Sequence, residues 1–139
     1  MTDDVGEHEH LRKIPFFEDL TPEDLERVAR IGERRSFEAG QPVLAKGTEG
    51  QAMFVILSGR VTVEAGRKTH ELGQGEFFGE MALLGRKPRS ATVTAVDPVE
   101  CLVFETMYFK PFLIKNPSVA VAILEGVVER LREVQERLA

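Results

Sequence analysis

The stretch GEFFGEMALLGRKPRSAT, residues 75–92, predicts a short helix followed by a loop and a strand. Gly79 permits a tight turn, and residues 80–84 favour one or two helical turns that Gly85 ends. Residues 90–96 are rich in β-branched side chains and predict a strand. The first N–H groups of a helix have no partner within it, so this unit is suited to bind an anion at the helix N-terminus.

Two charged side chains in this unit indicate what the anion is. Arg89 lies at the junction of loop and strand, where a guanidinium can fold back over a phosphate and bind it with two parallel hydrogen bonds. Glu80 lies in the first helical turn, where a carboxylate repels an anion and therefore needs a task of its own. A carboxylate only accepts hydrogen bonds, and a free ribose 2′-hydroxyl donates one. The combination predicts a nucleotide monophosphate whose phosphate and ribose are held close together.

The same run resembles the phosphate-binding cassette of the cyclic-nucleotide-binding domain family. Regulatory subunits of protein kinase A, the bacterial catabolite activator protein and cyclic-nucleotide-gated channels belong to that family. Its pattern is Phe-Gly-Glu, a few apolar residues, a short loop, then Arg, a small or hydroxyl residue and Ala. The residues that meet this pattern without a gap, and that the resemblance implies bind the ligand, are Phe78, Gly79, Glu80, Met81, Ala82, Arg89, Ser90 and Ala91.

The resemblance implies cyclic AMP or cyclic GMP as the ligand, with no cofactor and no metal. In the family, a hydroxyl residue after the cassette arginine can help to favour cyclic GMP, but bacterial cyclic AMP binders carry Ser there as well. Ser90 therefore leaves the choice open, and we favour cyclic AMP. Val63 joins the candidate ligand-binding residues because in the family its strand lines the base side. From the alternation of Val61 and Val63 alone, an inward face is either core or pocket wall.

Short segments separated by glycine-bearing turns occupy residues 33–105 and predict an antiparallel sandwich or barrel. The resemblance makes this an antiparallel β-roll of the double-stranded β-helix or jelly-roll type, with the cassette at 75–92 as its inserted helix. A leading helical segment at 11–32 contains Thr21 as N-cap and Pro22 in the first helical position. The fold class is thus mainly β with flanking helices, in a single domain over residues 1–139.

The C-terminal residues 106–139 predict a short helix and then a long one that restarts at Asn116-Pro117. Alternating steps of four and three residues separate its apolar side chains, Ala120, Leu124, Val127, Leu131, Val134 and Leu138. Such a repeat is typical of the seam of a coiled coil. We therefore predict a parallel homodimer through the helix at 118–139. The alternative is an amphipathic helix packed on its own barrel.

Composition limits the function further. A net charge of −5 argues against general affinity for nucleic acid. No apolar run approaches the roughly 20 residues of a membrane-spanning helix, and the acidic N-terminus differs from a signal peptide. We therefore expect a cytoplasmic protein. The single Cys101 lies in an apparent strand, which predicts a buried thiol.

Three functions compete. The first is a non-enzymatic receptor that converts cyclic nucleotide binding into movement of its flanking helices and acts on a protein effector not identified by the sequence. The second is a metal-dependent enzyme on a similar fold, which needs several converging ligands, whereas the barrel region contains only His70 among its histidines. The third is a structural or partner-binding module that has lost nucleotide binding. Intact Glu80 and Arg89 favour the first.

Overall fold

Two four-stranded antiparallel sheets form the central part of the fold. The computed structural model describes residues 11–12, 14, 17–18, 20–45, 47, 51–80 and 91–138. Within them, the strands are β1 Glu33–Phe37, β2 Pro42–Leu44, β3 Ala52–Ser58, β4 Val61–Ala65, β5 Lys68–Leu72, β6 Phe77–Phe78, β7 Thr92–Ala95 and β8 Val99–Glu105. One sheet has the order β1-β8-β3-β6 and the other β2-β7-β4-β5. Every described pairing is antiparallel, which confirms the predicted fold class.

Apolar side chains from both sheets form one core cluster. The buried members are Ala52, Phe54, Ile56, Val61, Val63, Leu72, Phe78, Val93, Ala95, Val99, Cys101 and Val103. Val61 and Val63 alternate with the less buried Thr62 and Glu64, so the inward face of β4 is the apolar one. Burial among these side chains raises the pKa of the Cys101 thiol to about 12. The predicted buried, free thiol is confirmed.

A tight turn joins β3 to β4 and is held by one carboxylate. Gly59 adopts a φ of +88°, which a residue with a side chain rarely adopts. The next residue, Arg60, donates its backbone N–H to Asp97 Oδ1 at 2.8 Å and its guanidinium Nε–H to Asp97 Oδ2 at 3.1 Å. Chiefly because of the backbone hydrogen bond, the pKa of Asp97 lies below its usual value. Together these bonds connect the turn before β4 to the turn before β8.

Three longer helices are described: α1 Pro22–Ile31, α2 Thr106–Lys115 and α3 Pro117–Leu138. The predicted N-cap of α1 is confirmed, because the Asp24 N–H donates to Thr21 Oγ1 at 3.1 Å. Helix α3 begins at Pro117 as predicted, and Asn116, just before it, does not direct its side-chain amide to α3. Its Nδ2 donates instead to the backbone oxygen of Phe112 in α2, at 2.9 Å.

The molecule divides into two units, one containing residues 1–30 and 111–139 and the other residues 31–110. Within the first unit, the Asp24 carboxylate joins α1 to the start of α3. Ser118 Oγ donates to its Oδ2 at 2.7 Å, and the Arg27 guanidinium donates to its Oδ1 at 2.9 Å. Asp24 is only 7% exposed, so these bonds replace much of the water that would otherwise solvate the charge.

The two ends of α3 differ in burial. Val119, Ala122 and Ile123 are buried near its start, whereas every residue from 131 to 138 is exposed. The homodimer through residues 118–139 and its alternative, an amphipathic helix packed on its own barrel, both stay predictions. In the described part of the chain no single helix is long and apolar enough to cross a membrane, although α2 and α3 together, as a bent pair, reach the required length and composition.

Candidate functional site

The first residues of the predicted cassette, 75–78, are held against the inner strand β3. Phe78 on β6 pairs with Phe54, and their rings stack with centroids 5.0 Å apart and planes 6° apart. Just before β6, the Gly75 N–H donates to the Ile56 oxygen at 2.8 Å, and the Ile56 N–H donates to the Glu76 oxygen at 2.9 Å. Phe78 is also buried. Its burial, its ring stacking and its pairing with β3 fix the backbone just before Gly79.

A glycine turn follows at once, as the sequence predicts. Gly79 has a φ of +79°, in the left-handed region that L side chains rarely adopt. Glu80 comes directly after it in a 3₁₀-helical conformation and is partly buried. Gly79 and Glu80 are thus the first two cassette residues after β6.

The other end of the cassette returns to the same apolar cluster. Ala91 is partly buried and packs against that cluster. Two residues later, Val93 on β7 pairs with Val63 on β4. Val63 faces inward and is 8% exposed. The structure thus brings together Phe78, Ala91 and Val63, which are far apart in the sequence.

Four predicted ligand-binding residues, Met81, Ala82, Arg89 and Ser90, lie outside the described residues. Their roles stay predictions. The same holds for the phosphate-binding helix, which was expected to end at Gly85. Of the predicted site, the described residues are therefore Val63, Phe78, Gly79, Glu80 and Ala91.

His70 lies on β5, opposite Val63 in the strand register, and is exposed. We therefore interpret His70 as a residue of the surface or of the pocket rim. Among the described residues, no group of three or more His, Cys, Asp and Glu side chains is placed to hold a metal ion.

Two residues that sequence reasoning did not single out position the cassette. Phe54 supports Phe78 by ring stacking and also contacts Phe37, with ring centroids 6.4 Å apart. Glu76 accepts a hydrogen bond from the Gly73 N–H on its Oε1 at 2.7 Å, which closes the turn before β6. Nothing in the uniformly apolar run 52–57 distinguishes Phe54 from its neighbours. For Glu76, the glycines at 73 and 75 were the available signal of a tight turn.

Comparison with known proteins identifies the family that the cassette sequence resembles. The model of the family described as "Cyclic nucleotide-binding domain" matches residues 34–116. The chain is 38% identical over 117 residues to a cyclic nucleotide-gated potassium channel of Rhizobium etli, covering 84% of this chain and 33% of the channel. It is 32% identical over 132 residues to the cyclic AMP receptor protein of Thermus thermophilus, covering 88% of this chain and 60% of that protein.

A solved structure supports the architecture. The structure of PKAR CBD2 with bound Sp-2Cl-cAMPS superimposes with a TM-score of 0.76 at 25% identity, covering 97% of this chain and 93% of that one. The chain spans about a third of the length of the first curated relatives it matches. Since the family model matches more than half of the chain, and the described fold agrees with it, this chain belongs to the cyclic-nucleotide-binding domain family.

Proposed function

We propose that the chain is a non-enzymatic sensor domain that binds a cyclic nucleotide, with cyclic AMP preferred. The observation that carries this proposal is the convergence of both cassette ends on one apolar cluster beside Val63. The two described ends of the cassette, Phe78 and Ala91, meet at the cluster that contains Val63 of β4. We further propose one domain over 1–139, formed by the helical segment 11–32, the β-roll 33–105 and the helices in 106–139.

Each predicted site residue has a chemical task in this proposal. The N–H groups that follow Gly79, including those of Met81 and Ala82, bind the cyclic phosphate at a helix N-terminus. Arg89 neutralises the phosphate charge with a bidentate contact, and the Ser90 hydroxyl and the Ala91 N–H complete the phosphate contacts. Glu80 accepts a hydrogen bond from the ribose 2′-hydroxyl. Phe78 and Val63 supply apolar surface towards the ribose and the base.

The preference for cyclic AMP rests on likeness to relatives. A relative that matches 88% of this chain is named a cyclic AMP receptor protein, and the superimposed PKAR domain holds a cyclic AMP analogue. Ser90 does not distinguish the two bases. Cyclic GMP is therefore the competing ligand in the experiment below.

The output of the domain is movement of the flanking helices, passed to a protein effector and to a second copy of the chain. Asp24 and Ser118 join α1 to the start of α3, so a displacement of one helix is transmitted to the other. The exposed second half of α3 offers a surface for self-association. Because the chain spans only part of its relatives, the effector is either a separate protein or a further part of a longer chain.

Calorimetric titration with cyclic AMP and cyclic GMP tests the nucleotide proposal. Arg89→Ala removes a charge-assisted phosphate contact and should cost about 2–3 kcal/mol, or roughly a hundredfold in affinity. Arg86→Ala, in the same loop, is the matched control and should stay within about threefold of the unmodified protein. If a folded protein gives no heat with either nucleotide, the proposal is wrong and the nucleotide-free partner module replaces it.

The role of Glu80 is tested with 2′-deoxy cyclic AMP. The unmodified protein should bind it about tenfold or more weakly than cyclic AMP, because the ligand no longer donates to the carboxylate. Glu80→Ala should remove most of this difference between the two ligands. If the Glu80→Ala variant still discriminates equally well, the carboxylate does not bind the 2′-hydroxyl.

A further inference from the structure

His70 is the polar end of an otherwise apolar row that crosses the inner face of one sheet. Strand pairing places Leu44 opposite Val93, and Val93 opposite Val63. The last member of the row, His70 on the edge strand β5, lies opposite Val63. Residues directly opposite each other in an antiparallel pair project from the same face of the sheet. Because Val63 and Val93 are buried in the core cluster, His70 projects from the face that carries this cluster.

Burial along β5 gives the same orientation. Leu72, two residues after His70, is a buried member of the core cluster. Side chains two residues apart on a strand share a face of the sheet. His70 itself is exposed. It is therefore a solvent-accessible polar side chain at the rim of the apolar cluster.

The proposed nucleotide brings its base to this rim. In the proposed function Val63 supplies apolar surface to the base, and the Cβ atoms of directly opposite residues lie about 4.5–5.5 Å apart. The imidazole ring of His70 can therefore reach the edge of a base that lies against Val63. Apolar side chains form no hydrogen bonds that distinguish adenine from guanine. Within this row, His70 is the side chain with the chemistry to do so.

The two protonation states of an imidazole suit different purines. Guanine presents two acceptors, N7 and O6, on the edge where adenine presents the N7 acceptor and the N6 amino donor. A neutral imidazole has one donor and one acceptor, whereas an imidazolium has two donors. The charged ring therefore matches the guanine edge and opposes the amino group of adenine.

We propose that His70 contacts the base and makes the choice between cyclic AMP and cyclic GMP depend on pH. Cyclic AMP is preferred while the ring is neutral, and protonation of the ring shifts the preference towards cyclic GMP. The proposal rests on the proposed function and names the residue that decides what Ser90 leaves open. Because linkage is reciprocal, binding of cyclic GMP should be accompanied by uptake of a proton at His70.

The charged groups around His70 come from β5 and from the cassette. On β4 the side chains of the inward face are apolar, and Glu64 projects from the other face, as does Glu71 on β5. Lys68 shares the face of His70 and is exposed. The cassette adds the Glu80 carboxylate and, outside the described residues, the basic side chains of Arg86, Lys87 and Arg89. Of these side-chain types, histidine is the one whose charge ordinarily changes between about pH 5 and 8.

Calorimetric titration with both nucleotides at about pH 5.5 and about pH 8 tests the proposal. At the lower pH the ratio of the two affinities should shift towards cyclic GMP by about fivefold or more, because a charged donor forms a stronger hydrogen bond than a neutral one. Titration of cyclic GMP in buffers that differ in ionisation enthalpy should show uptake of a proton. Cyclic IMP, which keeps N7 and O6 but lacks the 2-amino group of guanine, should follow cyclic GMP in both respects.

His70→Gln separates the charge of the ring from its hydrogen bonding. A glutamine amide has donors and an acceptor but gains no proton in this range, so the affinity ratio should stay within about twofold between the two pH values. The matched control replaces the two N-terminal histidines together, His8→Gln with His10→Gln, and should keep the full shift of the unmodified protein. Circular dichroism at both pH values checks that each variant is folded.

The outcomes separate this proposal from the sensor function. Loss of the shift in His70→Gln, but not in the control, would support the role of His70. A ratio that is independent of pH in the unmodified protein, or that changes equally in His70→Gln, would overturn this role and leave the sensor function intact. If a folded protein binds neither nucleotide at either pH, the sensor function fails and this proposal fails with it.

Discussion

The hydrogen bond between Ser118 and Asp24 should make a measurable contribution to stability. The carboxylate is 7% exposed and accepts from Ser118 Oγ at 2.7 Å. Ser118→Ala removes this donor and leaves a largely buried charge less well solvated. A hydrogen bond to a charged group contributes about 1.5–3 kcal/mol, so the free energy of unfolding should fall by that amount. For a chain of this size, the corresponding fall in Tm is roughly 5–10 °C.

Urea unfolding followed by far-ultraviolet circular dichroism measures this change, since the chain contains no Trp for fluorescence. Ser36→Ala, at an exposed position of β1, is the matched control and should change the free energy by less than about 0.5 kcal/mol. Asp24→Asn keeps the shape of the acceptor and removes its charge. In that background Ser118→Ala should cost only about 0.5–1.5 kcal/mol, as for a neutral hydrogen bond.

Two results would refute the reasoning. One is a free energy of unfolding for Ser118→Ala that lies within about 0.5 kcal/mol of the value for the unmodified protein, because a change of that size is usual for a surface substitution. The other is an equal loss in both backgrounds, because the two side chains would then not be coupled.

Two further stability predictions follow from the core and the turns. Gly59→Ala would place a Cβ 2.3 Å from the Pro98 oxygen at a φ of +88°, whereas Gly66 has a φ of +64° and nothing within 4 Å. In urea unfolding, Gly66→Ala should lower the free energy of unfolding by about 1–2 kcal/mol. Gly59→Ala should lower it by at least about 1 kcal/mol more, because the new Cβ also clashes with the Pro98 oxygen. Equal losses for the two variants would contradict the clash. Burial raises the pKa of Cys101 from 9.0 to about 12, so the folded state keeps its proton where the unfolded chain loses it. This group should leave the free energy of unfolding unchanged below pH 9 and lower it between pH 9 and 12. Urea unfolding at a series of pH values measures this change. In Cys101→Ala, part of the fall between pH 9 and 12 should be absent.

Local features of this protein follow from sequence because neighbouring residues determine them. The N-cap of α1 depends only on the Thr21 side chain and the backbone N–H three residues later. The turn at Gly79 depends only on the absence of a Cβ at that residue. The antiparallel class of the sheet region follows from short strands and frequent glycines. The cassette pattern was likewise sufficient for the family, which comparison with known proteins confirms.

Contacts between distant segments were decided only by the tertiary structure. Sequence left Val63 as either core or pocket wall, and pairing of β4 with β7 places it in the cluster that anchors both ends of the cassette. Phe54 is one of several equivalent apolar residues until β6 pairs with β3 and stacks Phe78 on it.

The apolar side of α3 illustrates the same division. Periodicity alone predicts an apolar side of the helix but admits two neighbouring registers that share the same leucines. Partial burial of Ala120 and Val127 within the chain selects the register with Val121 and Val128 as the exposed one. The sequence by itself determined the helix, its apolar side and the cassette motif, because these depend on residues within a few turns or on one continuous stretch. Which apolar face stays exposed depends on the residues that pack against the helix, and folding brings those together from distant parts of the chain.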